Sequence, residues 1–73
     1  MEQLNTKGGV MMNTKKVRAL MAKQQLTQKA LAKKAGVALN VLQLGLSGKR
    51  KTSVKCIGRI AAALDVDVEE IMD

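Results

Sequence analysis

The chain contains no phenylalanine, tyrosine, tryptophan, proline or histidine, and its only cysteine is Cys56. Without aromatic rings, a core must be assembled from Leu, Ile, Val, Met and Ala, and this set of side chains suits packed helices. Hydrophobic residues make up 47% of the 73 residues, which is enough for one small domain. We therefore expect a single all-α domain.

The same absences exclude several classes of function. Catalysis is not expected, because histidine is missing, the cysteine has no evident base, and paired acids occur only near the C-terminus. The carboxylates there follow no recognised metal-binding spacing, so we expect no metal ion and no cofactor. Nothing beyond the one domain is present to sense a small molecule, and no small-molecule ligand is expected.

Long apolar runs are also missing. The longest ones, such as Ile60 to Leu64, fall far short of the roughly 20 residues that cross a bilayer, and the first residues contain no stretch resembling a signal peptide. A lone cysteine at an apolar helical position cannot form an internal disulfide and suits a reducing compartment. The expectation is a cytoplasmic protein that does not enter a membrane.

Acidic residues are absent from Gln3 to Leu64, whereas all 13 Lys and Arg residues lie between Lys7 and Arg59. Such a charge distribution repels itself within a small domain, and a polyanion that releases its counterions on binding would relieve the repulsion. The net charge of +7 therefore favours nucleic acid as the partner. A basic surface that serves solubility, or a weak attraction to acidic membranes, is the alternative.

Residues 1–12 show no helical period and no helix cap, so a flexible N-terminal arm or leader is expected there, followed by the domain over residues 13–73. Capping residues and apolar spacing predict five helices. They begin after Asn13 or Thr14, after Thr27, at about residue 38, after Ser53 and after Asp67. Glu70, three residues after Asp67, makes the last start resemble a capping box. The second helix ends at Gly36, and the third ends at about residue 47, before Gly48.

Helical spacing groups the apolar positions of these helices. In the first helix it places Val17, Leu20, Met21 and Gln24 on one side; in the second, Ala30, Leu31 and Ala35 can face inward; in the fourth, Ile57, Ile60, Ala61 and Leu64 form an apolar stripe; the short fifth helix holds Val68, Ile71 and Met72.

Two glycines stand inside predicted helices, where each costs about 1 kcal/mol relative to alanine. For Gly45 two explanations stay open: an early end of the third helix, or a backbone that packs closely against another helix. For Gly58, tight packing against a neighbour is expected.

Two short helices joined by a tight glycine turn, within a strongly basic helical domain, are typical of a helix-turn-helix DNA reader. Three segments match a known family in order and spacing: LTQKALAKKAGV (26–37), SGKRKTS (47–53) and IAAALDVDVEEIM (60–72). They resemble the helix-turn-helix domain of the Cro and lambda-repressor superfamily of phage and bacterial regulators. The resemblance covers residues 15–72.

The resemblance implies a five-helix lambda-repressor-like domain that binds double-stranded DNA, with its third helix in the major groove, in a bacterial or prophage transcriptional regulator of repressor type. It implies that Gln28, preceded by Thr27, contacts the DNA backbone or an outer base. Lys49 and Arg50 match the basic loop that reaches phosphate, and Lys29 is a secondary candidate. The alternative is that these residues are an ordinary polar surface.

In the third helix the alignment turns Leu42 and Leu46 inward. The outward residues would be Leu39, Asn40, Gln43 and Leu44. The two amides can bond a base edge, with adenine as their natural partner. The two leucines offer only apolar contact, for instance with thymine methyl groups, or they mark a contact with another protein.

Many relatives pair a buried Arg with a Glu at the positions of Met21 and Leu46. Because both partners are apolar here, no charge is stranded, and such an exchange is neutral or stabilising by about 1 to 4 kcal/mol. We predict that Met21 packs on Leu46.

One helix reads only a few base pairs, so a homodimer on an inverted-repeat operator is expected. Its contact is predicted at the fifth helix and the end of the fourth, through Val66, Ile71 and Met72. The competing function is a helical protein-interaction module of the same fold, which binds another regulator through the leucine face.

Overall fold

The computed structural model describes residues 9–72, and this part of the chain forms five helices without a β-strand. The all-α fold is therefore confirmed. The helices are α1 (Thr14–Gln24), α2 (Gln28–Ala35), α3 (Leu39–Leu46), α4 (Val54–Leu64) and α5 (Val68–Ile71). None of the helices in the described range is long and apolar enough to span a membrane.

Side-chain caps start three of the helices where the sequence predicts them. Asn13 Oδ1 accepts a hydrogen bond from the Lys16 amide at 3.1 Å, Thr27 Oγ1 from Ala30 at 3.0 Å, and Ser53 Oγ from Cys56 at 3.2 Å. Each such cap stabilises its helix by about 1 kcal/mol.

The predicted capping box of α5 does not form. Asp67 is the residue before the helix, but its side chain accepts no hydrogen bond. Instead, the Glu70 amide donates to the Asp67 carbonyl oxygen at 3.0 Å, so a backbone turn closes the start of this four-residue helix.

The core is built from aliphatic side chains of every helix. The predicted apolar stripe of α4 is fully buried, and so are Val17 and Leu31. In α2 the prediction is right for Leu31 and Ala35 and wrong for Ala30, which is exposed, whereas Ala32 is buried. Ala32 lies next to Leu31 and one turn from Ala35, so these three residues share the face that packs on α4.

The segment just before α1 belongs to the domain, contrary to the expectation of a flexible arm up to residue 12. Val10 and Thr52 form an antiparallel bridge, with N–H···O distances of 2.8 and 2.7 Å, and Met12 forms a second bridge with Met72. The Met12 side chain is only 3% exposed. Isolated methionines give no periodic signal, so the sequence could not indicate this pairing. Residues 1–8 of the predicted arm lie outside the described range.

Gly45 lies where the backbone of α3 approaches its neighbours closely. A Cβ atom at this position would stand 2.6 Å from Thr52 Oγ1 and 2.7 Å from Met12 Cε. Because α3 continues to Leu46, the first explanation, an early helix end, is wrong. Close packing is the cause, but the neighbours are Met12 and Thr52 in segments outside the helices and not another helix. Thr52 Oγ1 is itself buried and has no hydrogen-bond partner among the described residues.

Gly58 differs from Gly45, and the close packing expected for it is not observed. No atom lies within 4 Å of a Cβ built at this position, which is half-buried in the middle of α4. The structure gives no packing reason for this glycine.

Met21 and Leu46 are buried in the same apolar cluster, and α1 packs against α3, as their predicted contact requires. A charged side chain, that of Arg18, also reaches the contact between α1 and α3. Arg18 Nη2 donates to the Leu46 carbonyl oxygen at 3.1 Å. A cation at the C-terminal end of a helix interacts favourably with the helix dipole, so Arg18 fastens α3 to α1.

We predict that Gly45→Ala lowers the free energy of unfolding by about 1 kcal/mol. The added methyl group overpacks the contact with Thr52 and Met12 at a cost of about 1 to 3 kcal/mol, which exceeds the gain of about 1 kcal/mol in helix propensity. Urea denaturation followed by circular dichroism measures the change.

Gly58→Ala is the matched control. The same substitution in open space should raise the free energy of unfolding by about 1 kcal/mol, because only the helix propensity changes. If the two variants shifted stability in the same direction, the packing explanation for Gly45 would be wrong.

Candidate nucleic-acid interface

Helix α3 has one buried side and one exposed side. Its buried residues are Leu42, Gly45 and Leu46. The outward residues predicted from the sequence, Leu39, Asn40, Gln43 and Leu44, are all exposed. None of the eight residues of α3 is charged, and no side chain caps its first turn, because Ala38 stands at the cap position. The helix therefore presents two side-chain amides and several aliphatic side chains. The backbone N–H groups of its first turn have no side-chain cap.

Polar side chains also lie at the start of α2, the helix that packs against α3. Thr27 and Lys29 are exposed, whereas Gln28 is half-buried at the first position of the helix. The Thr27 hydroxyl accepts a hydrogen bond from the Ala30 amide, and its own O–H remains able to donate to a ligand. No hydrogen bond among the described residues joins these side chains to α3.

The loop after α3 carries the strongest cluster of positive charge, Lys49, Arg50 and Lys51, all of them exposed. Ser47 orders the start of the loop. Its hydroxyl donates to the Leu44 carbonyl at 2.7 Å and accepts from the Lys49 amide at 3.2 Å. Gly48 adopts the left-handed conformation, with φ of 78°, which turns the chain away from the helix axis.

The far end of this loop is also fixed. Thr52 pairs through both backbone groups with Val10, and its side chain lies against Gly45. The three cations are thus held between an ordered turn and a backbone bridge.

A shallow groove connects α3 to the loop and to the first turn of α4. Its lining is Val41, Leu44, Gly45, Arg50, Lys51, Thr52, Ser53 and Cys56. It brings two predicted site residues together, Leu44 and Arg50. Val41 and Cys56 also line the groove, although neither was predicted as a site residue from the sequence. The spacing of Val41, Leu44 and Gly45 along one edge of α3 was the signal that could have indicated them.

Ion pairing leaves the candidate interface free. Within residues 9–72 the structure shows one ion pair, Lys16 Nζ to Glu70 Oε1 at 3.8 Å, between α1 and α5. Both side chains are about half exposed, so the pair contributes little stability. The acids of this range all follow Leu64, in the turn before α5 and in α5 itself. Lys29, Lys49 and Arg50 therefore meet no carboxylate of the described residues within ion-pair distance.

Ile71 corrects one expectation about assembly. It is fully buried in the domain's own core, so it is not available for a contact with a second copy. Val66 and Met72 are half-buried and pack against that core. The exposed apolar side chain of this region is Val68.

Within the described residues no group of three potential metal ligands occurs. Exposed cations, amides and backbone N–H groups are suited to binding an anionic surface with hydrogen-bonding edges.

A helix-turn-helix family model (HTH_3) matches residues 17–71. Among solved structures, the restriction-modification controller protein C.AhdI from Aeromonas hydrophila is similar to this chain. It has 28% sequence identity and a TM-score of 0.73, and the match covers 78% of this chain and 86% of that one. No curated protein sequence gives a significant match. Since the family match extends over most of the five helices, the chain belongs to the helix-turn-helix family of the Cro and lambda-repressor type.

Proposed function

We propose that this protein is a transcriptional regulator of repressor type that binds specific sequences of double-stranded DNA with α3 in the major groove. The observation that carries the proposal is the charge arrangement of the exposed surface. An uncharged helix with free amides is followed by a three-cation loop, in a chain with no acid from Gln3 to Leu64. A protein that reads base edges with a helix and contacts phosphates with a loop needs this separation, with neutral hydrogen-bonding groups on the helix and cations in the loop.

Phosphate contacts are assigned to the residues that flank α3. Lys49 and Arg50 extend from a loop that is ordered before binding, because Ser47 and Val10 fix its two ends. Thr27 and Gln28 contribute polar groups at the start of α2, where the helix dipole also favours an anion. Lys29 adds a cation next to them and Lys33 lies one turn further on, where the two like charges repel each other.

Base contacts are assigned to the amides of α3. Asn40 and Gln43 are exposed, and each can donate and accept at the same time. That combination matches the N6 and N7 edge of adenine, with a bidentate pair worth about 1 to 3 kcal/mol of discrimination.

The similarity to C.AhdI supports a regulatory role, since that protein's description is a restriction-modification controller. A second candidate is a helical module that binds another regulator. The apolar edge of the groove, with Val41 and Leu44 both about 40% exposed, favours it.

We further propose that two copies bind an inverted-repeat operator. With Ile71 excluded, Val68 together with the exposed parts of Val66 and Met72 forms the contact. This places the acidic C-terminal end of the domain at the dimer contact and leaves α3 of each copy to read one half-site.

Selection of bound sequences from a random duplex pool, followed by titration in increasing salt, tests the function. We expect an enriched palindromic motif and an affinity that falls steeply with salt, with a slope of about −0.9 for each phosphate neutralised. If no duplex were bound in dilute buffer, the protein-interaction module would replace the DNA-binding regulator.

Two substitutions separate the roles of base and phosphate contacts. Asn40→Ala should relax the preference at one position of the motif and weaken the preferred duplex by about 1 to 3 kcal/mol. Arg50→Ala should weaken all duplexes alike and reduce the salt slope by about 1. Lys16→Ala is the matched loss of charge on α1 and should change the slope less. Identical sequence profiles for the first two variants would contradict this division.

Stoichiometry tests the dimer. In sedimentation with a duplex that contains the whole inverted repeat, we expect two chains per duplex, and one chain on a half-site duplex. Val68→Asp should favour the species with one chain on the full duplex, because it adds an anion to an already acidic contact. A single wild-type chain on the full-length operator at saturation would contradict the proposal.

A further inference from the structure

The exposed side of α3 has an unusual chemistry for a surface that is proposed to read DNA. Three of its side chains are aliphatic and remain substantially exposed: Leu39 at 36%, Val41 at 39% and Leu44 at 40%. The other two exposed side chains are the amides of Asn40 and Gln43. Over its whole length the helix has no Lys or Arg.

The arrangement around the helix axis is ordered. At about 100° per residue, Gln43 and Asn40 lie between Leu39 and Leu44 on the exposed arc, and Val41 lies beyond Leu44 at the edge that borders Gly45. The leucines are also roughly 7.5 Å apart along the axis, so they reach different base pairs. The pair of amides therefore has one leucine on each side, Leu39 next to Gln43 and Leu44 next to Asn40.

The edges of the bases limit what such a surface can recognise in the major groove. Guanine is read mainly by Arg or Lys, which α3 lacks, and adenine by Asn or Gln, which it has. The one apolar group in the major groove is the methyl group on C5 of thymine, and a cytosine methylated at C5 presents the same group. Aliphatic tips gain from contact with a methyl group and lose water by it.

From these observations we propose that Leu39 and Leu44 form a binding site for C5-methyl groups of pyrimidines in the major groove, on either side of the adenine-reading amides. The inference rests on the proposed function and specifies its ligand: half-sites rich in A·T pairs, in which a methyl group stands next to an adenine. Discrimination between DNA sequences then depends partly on methyl groups, because phosphate contacts are the same for every sequence.

The test uses the random duplex pool in four syntheses, with thymine or uracil combined with cytosine or 5-methylcytosine. Uracil keeps the hydrogen-bonding edge of thymine and removes only the methyl group. For the preferred duplex of the thymine pool, replacing the thymines by uracil should weaken binding about fourfold per contacted methyl, and about 15-fold for two.

The 5-methylcytosine arms identify the source of the methyl group. If the pool with uracil and 5-methylcytosine recovers tight binding, with methylated cytosines enriched in the motif, the site accepts the methyl group on either pyrimidine. If tight binding returns only with thymine, the site reads thymine specifically. Both results support contact with a C5-methyl group.

Variants attribute the effect to the two leucines. Leu39→Ala and Leu44→Ala should each reduce the ratio of the uracil to the thymine dissociation constant towards one, while binding to the uracil duplex changes little. Val54→Ala is the matched control, since Val54 is 51% exposed at the first position of α4, belongs to neither the proposed DNA contacts nor the dimer contact, and its loss should leave the ratio unchanged. A ratio is used because any change in dimer strength acts on both duplexes alike.

Two failures are distinguishable. Absence of binding to every pool in dilute buffer would remove the proposed function itself. Tight, sequence-selective binding that is equal for thymine and uracil duplexes would leave the function in place and overturn the methyl site.

Discussion

The close contact among Gly45, Thr52 and Met12 fixes the position of α3 and of the loop after it. With a hydrogen in place of a side chain, the helix backbone comes near enough to meet a buried hydroxyl and a methionine methyl group. The inner side of the helix is thereby seated, and the opposite side is left to the solvent. The glycine weakens the helix locally, and the packing that it permits holds three separate parts of the chain together.

Neutral and charged side chains are separated on either side of this contact. The exposed side of α3 is neutral. The cations follow in the next loop, whose two ends are held by hydrogen bonds to Ser47 and Val10. Electrostatic attraction alone would not distinguish one duplex from another. Selectivity then depends on amides and aliphatic tips, whose interactions are short-ranged and act only when α3 is in place.

Much of this architecture could be predicted from the sequence, and the reasons are local. Asn13, Thr27 and Ser53 precede apolar periods, and a side-chain cap needs only its own helix to form. The stripe of α4 is equally local. What could not be predicted depends on residues distant in the sequence. The burial of Met12, the role of Gly45 and the inaccessibility of Ile71 arise from contacts between segments about 30 to 60 residues apart, which no periodicity records. In the candidate site, outward exposure followed from the resemblance, whereas the groove at Val41 and Cys56 depends on how the loop after α3 brings the first turn of α4 beside that helix.

The backbone bridge between Val10 and Thr52 also has a thermodynamic consequence. A free lysine-rich loop would lose conformational freedom on meeting a polyanion, and that loss subtracts from affinity. Here much of the ordering has already occurred during folding, through the two backbone hydrogen bonds that Thr52 exchanges with Val10, a residue that precedes the first helix. The preorganisation of the loop therefore depends on a stretch of chain some forty positions earlier, so alterations near the amino terminus would change affinity without touching any group that meets the ligand.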